Sequence, residues 1–154
     1  MKIIAACSKN WVIGKDSKLP WDEPDELELF KETTLNNVII MGRKTYEGIG
    51  KLKNRVNIVF SSQQKEEGDL IFVRTFEDFF DIINIFHGMQ KFVIGGASIF
   101  EEFLKRGLIN EILLSIFNFK VEGDKYFPYY HLDKFAIKDT MVYTNFTRYN
   151  YALK

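Results

Sequence analysis

The chain reads as an α/β protein, a single domain over residues 1–154. Its expected centre is a mixed, mostly parallel twisted sheet of about eight strands, with an antiparallel C-terminal edge and helices on both faces. Three observations point there. Short apolar runs alternate with helical patterns through the first part of the chain. Those runs are apolar throughout rather than at alternate positions, as strands covered on both faces must be. The tail then turns to consecutive strands with no helix between them.

The elements follow in order. Residues 3–7 make the first strand, bounded by polar neighbours. Pro24 suits a first helical position, and the acidic residues after it favour the helix dipole, so a helix is expected from Pro24 to about Leu35. Residues 38–41, 57–60, 70–73 and 92–94 are short strands rich in Val, Ile and Phe. Thr75 with Asp78 is a capping-box-like start, and Phe76, Phe79, Phe80, Ile83 and Phe86 then share one helical face. Gly95-Gly96 ends a strand and opens a third helix, whose apolar side is Ile99, Phe100, Phe103 and Leu104. Residues 112–117, 135–143 and 146–153 complete the sheet. The last of these alternates Tyr149, Tyr151 and Leu153 with polar neighbours, and a tight turn at Thr144-Asn145 joins the final pair.

Charge and composition narrow the function. The 21 Lys and Arg residues balance 21 Asp and Glu residues, which argues against a protein held to nucleic acid or anionic lipid by bulk charge. The longest unbroken apolar run is five residues, far below the roughly 20 needed to span a bilayer, and also short for the core of a secretory signal. A cytoplasmic protein is expected. One cysteine, Cys7, excludes an internal disulfide framework and a thiolate cluster, and two separated histidines leave no metal site expected. Cys7, in an apolar strand, reads as a small hydrophobe rather than a nucleophile. The partner is expected to be a small molecule.

Ligands of open α/β sheets sit at the carboxyl ends of the strands. There the sequence offers Gly42-Arg43-Lys44-Thr45, then Ser61-Ser62-Gln63, then Arg74-Thr75, then Gly95-Gly96-Ala97-Ser98. Each turn alone is ordinary: Gly pairs mark turns, and Arg43 and Arg74 taken singly are surface cations. Together they describe a rim of cations, hydroxyls and bare N–H groups suited to a phosphate-bearing ligand. Neither G-x-G-x-x-G nor a Walker A loop is present. A second constellation lies on the first helix, where Glu26, Phe30 and Thr33 share a face with Leu27 at its border. A helical Glu is usually a solvated charge. This one stands beside Phe30 and faces the side of Leu19-Pro20-Trp21, and an apolar pocket there would raise its pKa and suit it to proton work.

These blocks, in order and spacing, resemble the dihydrofolate reductase family over nearly the whole chain: Ile13-Gly14, Leu19-Pro20-Trp21, residues 24–31, residues 38–47, residues 57–63, Val93-Ile94-Gly95-Gly96, and Val121-Glu122-Gly123-Asp124 before Phe127-Pro128. The resemblance implies reduction of 7,8-dihydrofolate to 5,6,7,8-tetrahydrofolate with NADPH. It implies that Glu26 anchors the pterin and favours protonation at N5, with Trp21 near a shared water and Ser115 bonding Glu26 where the family commonly has Thr. Leu27, Phe30, Ile49 and Leu52 would line the substrate cleft, completed by Ile4, Ala6 and Ile94. Arg55 would clamp the glutamate α-carboxylate. Ala6, Ile13, Gly14, Gly42, Arg43, Lys44, Thr45, Ser61, Ser62, Arg74, Gly95, Gly96, Ala97, Ser98, Ile99 and Phe100 would receive the cofactor, with Arg43, Ser62 and Arg74 at its 2′-phosphate. The resemblance further implies a cis Gly95–Gly96 peptide, a mobile loop over residues 8–23 and, by analogy of length, a monomer.

The sequence departs from the family pattern in three places. Phe100 stands where Tyr is frequent, residues 51–54 lack a common proline and are one residue short, and residues 15–18 are unusually charged. Two rivals share part of the pattern. The related reductase of riboflavin synthesis has the fold and the cofactor but not usually an acid at position 26 after Leu-Pro-Trp. A non-catalytic nucleotide- or pterin-binding module would keep the phosphate rim and need neither Glu26 nor Arg55.

Overall fold

The computed structural model describes residues 1–14, 23–63 and 66–154. Its strands are β1 (Lys2–Cys7), β2 (Val12–Gly14), β3 (Val38–Gly42), β4 (Val56–Phe60), β5 (Glu66–Glu67), β6 (Leu70–Val73), β7 (Lys91–Gly95), β8 (Glu111–Phe117), β9 (Lys125–Tyr126), β10 (Phe135–Val142) and β11 (Phe146–Leu153). The helices are α1 (Pro24–Thr34), α2 (Arg43–Ile49), α3 (Phe76–Ile83) and α4 (Ala97–Lys105).

Nine strands form one sheet in the order β10-β11-β8-β1-β7-β3-β4-β6-β5. The run from β8 to β6 is parallel, and β10, β11 and β5 pair antiparallel at the two edges. The mixed sheet expected above is therefore present, with the two-residue β5 as one strand more. The two-stranded β2–β9 ribbon stands apart.

Strand parity divides the core into two layers, because successive side chains leave a strand on opposite faces. Ile3, Val38, Ile40, Ile58, Val73 and Val93 pack on one face with Phe79 and Ile83 of α3 and Phe100 and Phe103 of α4. Ile4, Ile39, Met41, Val59, Phe72 and Phe92 pack on the other with Phe30 of α1 and Tyr46 of α2. Helices cover both faces, which is why these strands lack polar alternation.

Local chemistry sets the boundaries. Pro24 opens α1, whose last turn closes with Leu35 N–H donating to Lys31 O. Thr75 caps α3 by accepting from the Asp78 N–H at 3.1 Å, and a 3₁₀ turn over Asn84–Phe86 carries the phenylalanine stripe to its end. Two expectations change. Arg43, Lys44 and Thr45 are the first turn of α2, so only Gly42 forms the corner after β3. The short strands β2, β5 and β9 carry no periodicity long enough to be read in sequence.

Candidate active site

Glu26 lies in the first turn of α1 and is only 9% exposed. Burial pushes its carboxyl up to about 7, while the charge of Arg148 and the hydroxyl of Ser115 pull it back. A carboxyl held there exchanges its proton near neutral pH, the range in which general acid–base work is efficient. The shared helical face is real: Glu26 is buried, Phe30 and Thr33 are half-buried, and Asp25, Glu28 and Lys31 are exposed. Leu27, at the border, is 52% exposed.

The floor opposite Glu26 comes from three neighbouring strands. Ala6 of β1 aligns with Ser115 of β8, which aligns with Arg148 of β11. Aligned residues point to the same side of a sheet. Ala6 is two residues beyond Ile4, which packs in the α1 layer, so the whole row faces α1. Arg148 Nη1 reaches that helix and donates to Thr33 Oγ1 at 3.3 Å. Arg148 belongs to the polar set that alternates with Tyr149, Tyr151 and Leu153 in the last strand. Arg148 is only 8% exposed, because α1 covers that side.

A second cation is fixed at the other end of α1. Arg55 donates from Nη1 to Thr34 Oγ1 at 3.0 Å and from Nε to Lys53 O at 3.0 Å. Its Nη2 has no partner among the described residues. Desolvation lowers the Arg55 pKa, yet a guanidinium keeps its charge. The loop around Arg55 is pinned by the buried Asn57 side chain, which accepts from Leu52 N and donates to Leu52 O and Arg55 O. Between the two ends of α1 stand apolar groups. Leu27 and Ile49 are exposed, while Phe30, Leu52 and Ile94 are half-buried against the Ile4 layer.

The phosphate-type rim also assembles. β7, β3, β4 and β6 are consecutive in the sheet, and their ends are level: Met41 aligns with Gly95, Gly42 with Phe60, and Phe60 with Val73. Gly95, Gly42, Ser61 and Arg74 therefore follow one another along one edge. The Gly95–Gly96 peptide is cis. A Cβ at Gly96 would sit 3.5 Å from Thr45 Oγ1, and one at Gly42 only 2.9 Å from Ile99 Cγ1. The two corners are packed against each other with bare backbone between them. Gly96, the N-cap of α4, provides no side-chain cap for the first-turn N–H groups.

Several residues differ from expectation in detail. Arg43 is already paired with Glu47 on the outer face of α2, so it stands at the rim as half of an ion pair. Ser61 is buried, and its hydroxyl accepts from Gln63 N at 3.1 Å, which makes Ser61 a turn-former. Ser62, Arg74, Lys44 and Ser98 are exposed, and Ala97 is half-buried. Phe100 is buried, with its ring 3.7 Å from a Cβ placed on Gly95. Cys7 is buried on the opposite core face, where desolvation lifts its thiol to about 12 and leaves it inert.

The expected closing loop divides in two. Residues 15–22, and with them Trp21 and the Leu19-Pro20 block, lie outside the described residues. Residues 8–14 are held down rather than free. Asn10 exchanges bonds with both backbone groups of Val121, Lys9 N donates to Phe119 O, and Ile13 packs on the core. Gly14 accepts from Asp124 N.

Arg148 and Thr34 hold the site together although little in their local sequence marks them. Arg148 meets Thr33 and Thr34 meets Arg55 across long stretches of chain, and only the presence of a charged residue in the terminal strand signals one of them.

Known proteins carry the same architecture. The sequence model of the dihydrofolate reductase family matches residues 1–153. A dihydrofolate reductase of Buchnera aphidicola subsp. Acyrthosiphon pisum is 40% identical over 134 residues, covering 86% of this chain and 81% of the relative. That of Haemophilus influenzae is 34% identical over 137 residues, covering 88% and 83%. A solved dihydrofolate reductase from Enterococcus faecalis, complexed with NADP(H) and RAB-propyl, superposes with a TM-score of 0.84 at 28% identity, covering 99% of this chain and 95% of that one.

Proposed function

The chain belongs to the dihydrofolate reductase family, and from that premise we propose how its own residues perform the family's reaction, the NADPH-dependent reduction of 7,8-dihydrofolate to 5,6,7,8-tetrahydrofolate. The carrying observation is a buried Glu26 beside an apolar cleft that ends at Arg55, next to a rim of bare backbone and cations.

Glu26 hydrogen-bonds the amino and ring N–H groups of the pterin and biases protonation toward N5. A carboxyl held near 7 can do both at neutral pH, since it is neither fully ionised nor fully protonated. Trp21 and Ser115 support that proton path. Leu27, Phe30, Ile49 and Leu52 hold the rings by apolar contact, with Ile4, Ala6 and Ile94 below them. Arg55 grips the α-carboxylate of the glutamate tail, for which a planar fork with Nη2 open is well shaped.

The rim fits a nicotinamide dinucleotide phosphate. Gly42, Gly95 and Gly96 keep side chains away from a pyrophosphate, and the α4 N-terminus favours negative charge. Arg74 and Ser62, aided by Lys44 and by Arg43 in its pair with Glu47, would take the 2′-phosphate, while Thr45, Ala97, Ser98 and Ile99 frame the passage. Ala6, Ile13, Gly14, Ile94 and Phe100 would border the nicotinamide end and exclude water. Bound there, NADPH supplies the hydride that reaches C6 of the pterin.

We assign the chain to the cytoplasm as a monomer without a nucleic-acid partner. The balanced charge supports the absence of a nucleic-acid partner, the monomer follows the family by analogy of length, and no helix among the described residues is long and apolar enough to cross a membrane. The direct test mixes protein, dihydrofolate and NADPH and follows cofactor oxidation, with NADH and folate-free controls. Oxidation that needs dihydrofolate and prefers NADPH supports the reading. Equal rates without the folate overturn it.

A further inference from the structure

Arg148 is a charged side chain in a place where charge is costly. It is buried and, among the described residues, makes one hydrogen bond, to Thr33, while its Nε and Nη2 have no partner. On the same buried face the Asn150 Oδ1 also has no partner among the described residues. Removing a guanidinium from water costs several kcal/mol unless an opposite charge compensates. The charged and titratable groups around it are few. Glu26 faces it from α1 and Tyr143 acts on it from the turn before β11, while Thr33 and Ser115 offer only hydroxyls. Cys7 of β1 lies on the opposite core face. Glu26 is thus the compensating anion. The two do not form a close ion pair, so the carboxyl keeps its lone pairs for a ligand while feeling the guanidinium's field.

We propose that Arg148 is a positioning residue for the reduction: reaching from β11 over Ser115 to Thr33, its guanidinium offsets part of the burial cost of the Glu26 carboxylate, aims it at the pterin, and leaves the acid–base pair close to neutral overall when the carboxyl ionises. This rests on the assignment of Glu26 to the pterin. A site whose acid is already balanced by a fixed cation favours a neutral heterocycle over a permanently protonated one. Arg148 therefore also sets selectivity between neutral and cationic ring ligands.

The test compares R148M, R148Q and R148K with the wild type in the pH profile of kcat/KM for dihydrofolate, alongside the pH titration of the Glu26 carboxyl carbon by NMR. Loss of the cation makes the pocket more negative, so the profile of R148M and of R148Q moves to higher pH by about one unit. Both variants gain affinity for a protonated diaminopyrimidine relative to a neutral pteridine. R148K, which keeps the charge, stays nearer the wild type than R148Q does. A variant that is merely loosened would lose rate at every pH without displacing the profile. If R148M does not fold, R148Q and R148K decide by the same criteria. An unmoved profile and carboxyl titration in the charge-deleted variants overturn the inference, as does an R148K profile displaced as far as that of R148Q. Glu26→Gln in the same assay separates the two levels. A pH-independent loss there removes Glu26 from the chemistry, whereas a normal Glu26→Gln result with an unmoved R148Q removes only Arg148.

Discussion

Arg55 and Thr34 share one hydroxyl: Thr34 Oγ1 donates to Phe30 O at 2.9 Å and accepts from Arg55 Nη1 at 3.0 Å. The bond ties the loop before β4 to the last turn of α1 and aims the guanidinium. Thr34→Val removes it while keeping the volume and leaves a buried N–H unpaired, a cost of about 1–3 kcal/mol. KM for dihydrofolate should rise with NADPH affinity unchanged, and Arg55→Lys should act in the same direction and further. Titration of both ligands against each variant checks this. Equal loss for the two ligands contradicts the clamp.

The rim makes unequal demands on its two arginines. Arg74 is exposed at the end of β6, whereas Arg43 is already bound to Glu47. Arg74→Ala should therefore reduce the preference for NADPH over NADH more than Arg43→Ala does. Steady-state kinetics with both cofactors measure the ratio, and a larger effect at Arg43 would reverse the assignment of the 2′-phosphate.

Gly123 lies against β2. A Cβ there would be 2.2 Å from Val12 Cγ1 and 2.7 Å from Gly14 O, and neither the backbone oxygen nor the fully buried Val12 can retreat. Gly123→Ala should destabilise by about 1–3 kcal/mol and displace the β2–β9 ribbon. Thermal unfolding reads the first effect. An unchanged Tm would mean that the ribbon yields without cost.

How much was legible in the sequence depends on how local the cause is. The Thr75 cap, the phenylalanine stripe of α3 and the apolar runs of β3 and β4 are local, and each is found within a residue or two of its expected place. The burial of Glu26 and the positions of the strand ends along the rim were readable because strand ends and helix faces follow from periodicity. The role of Arg148 was not. It depends on β11 pairing beside β8 and on α1 covering that face, and alternation in β11 alone points Arg148 to solvent. The Arg43–Glu47 pair was hidden because residues 43–45 looked like a turn. Once they are helical, positions 43 and 47 become neighbours.

Glu26 also bears on stability. The folded carboxyl keeps its proton to about 7, whereas an unfolded glutamate releases it near 4.5. Across that window the native state binds more protons, so stability falls as pH rises and levels off above the folded pKa. The wild type should lose on the order of 3 kcal/mol over this range that Glu26→Gln retains. Denaturant midpoints of the two proteins at each end of the window test it, and parallel pH dependences contradict it.

The sharpest trial of the whole account is the pH dependence of turnover in Glu26→Gln. At acidic pH dihydrofolate takes up its proton from solvent, so the variant should approach wild-type turnover there and fall increasingly short toward neutral pH. A ratio of variant to wild type that stays constant from acid to neutral would show that the buried carboxyl plays no part in delivering the proton.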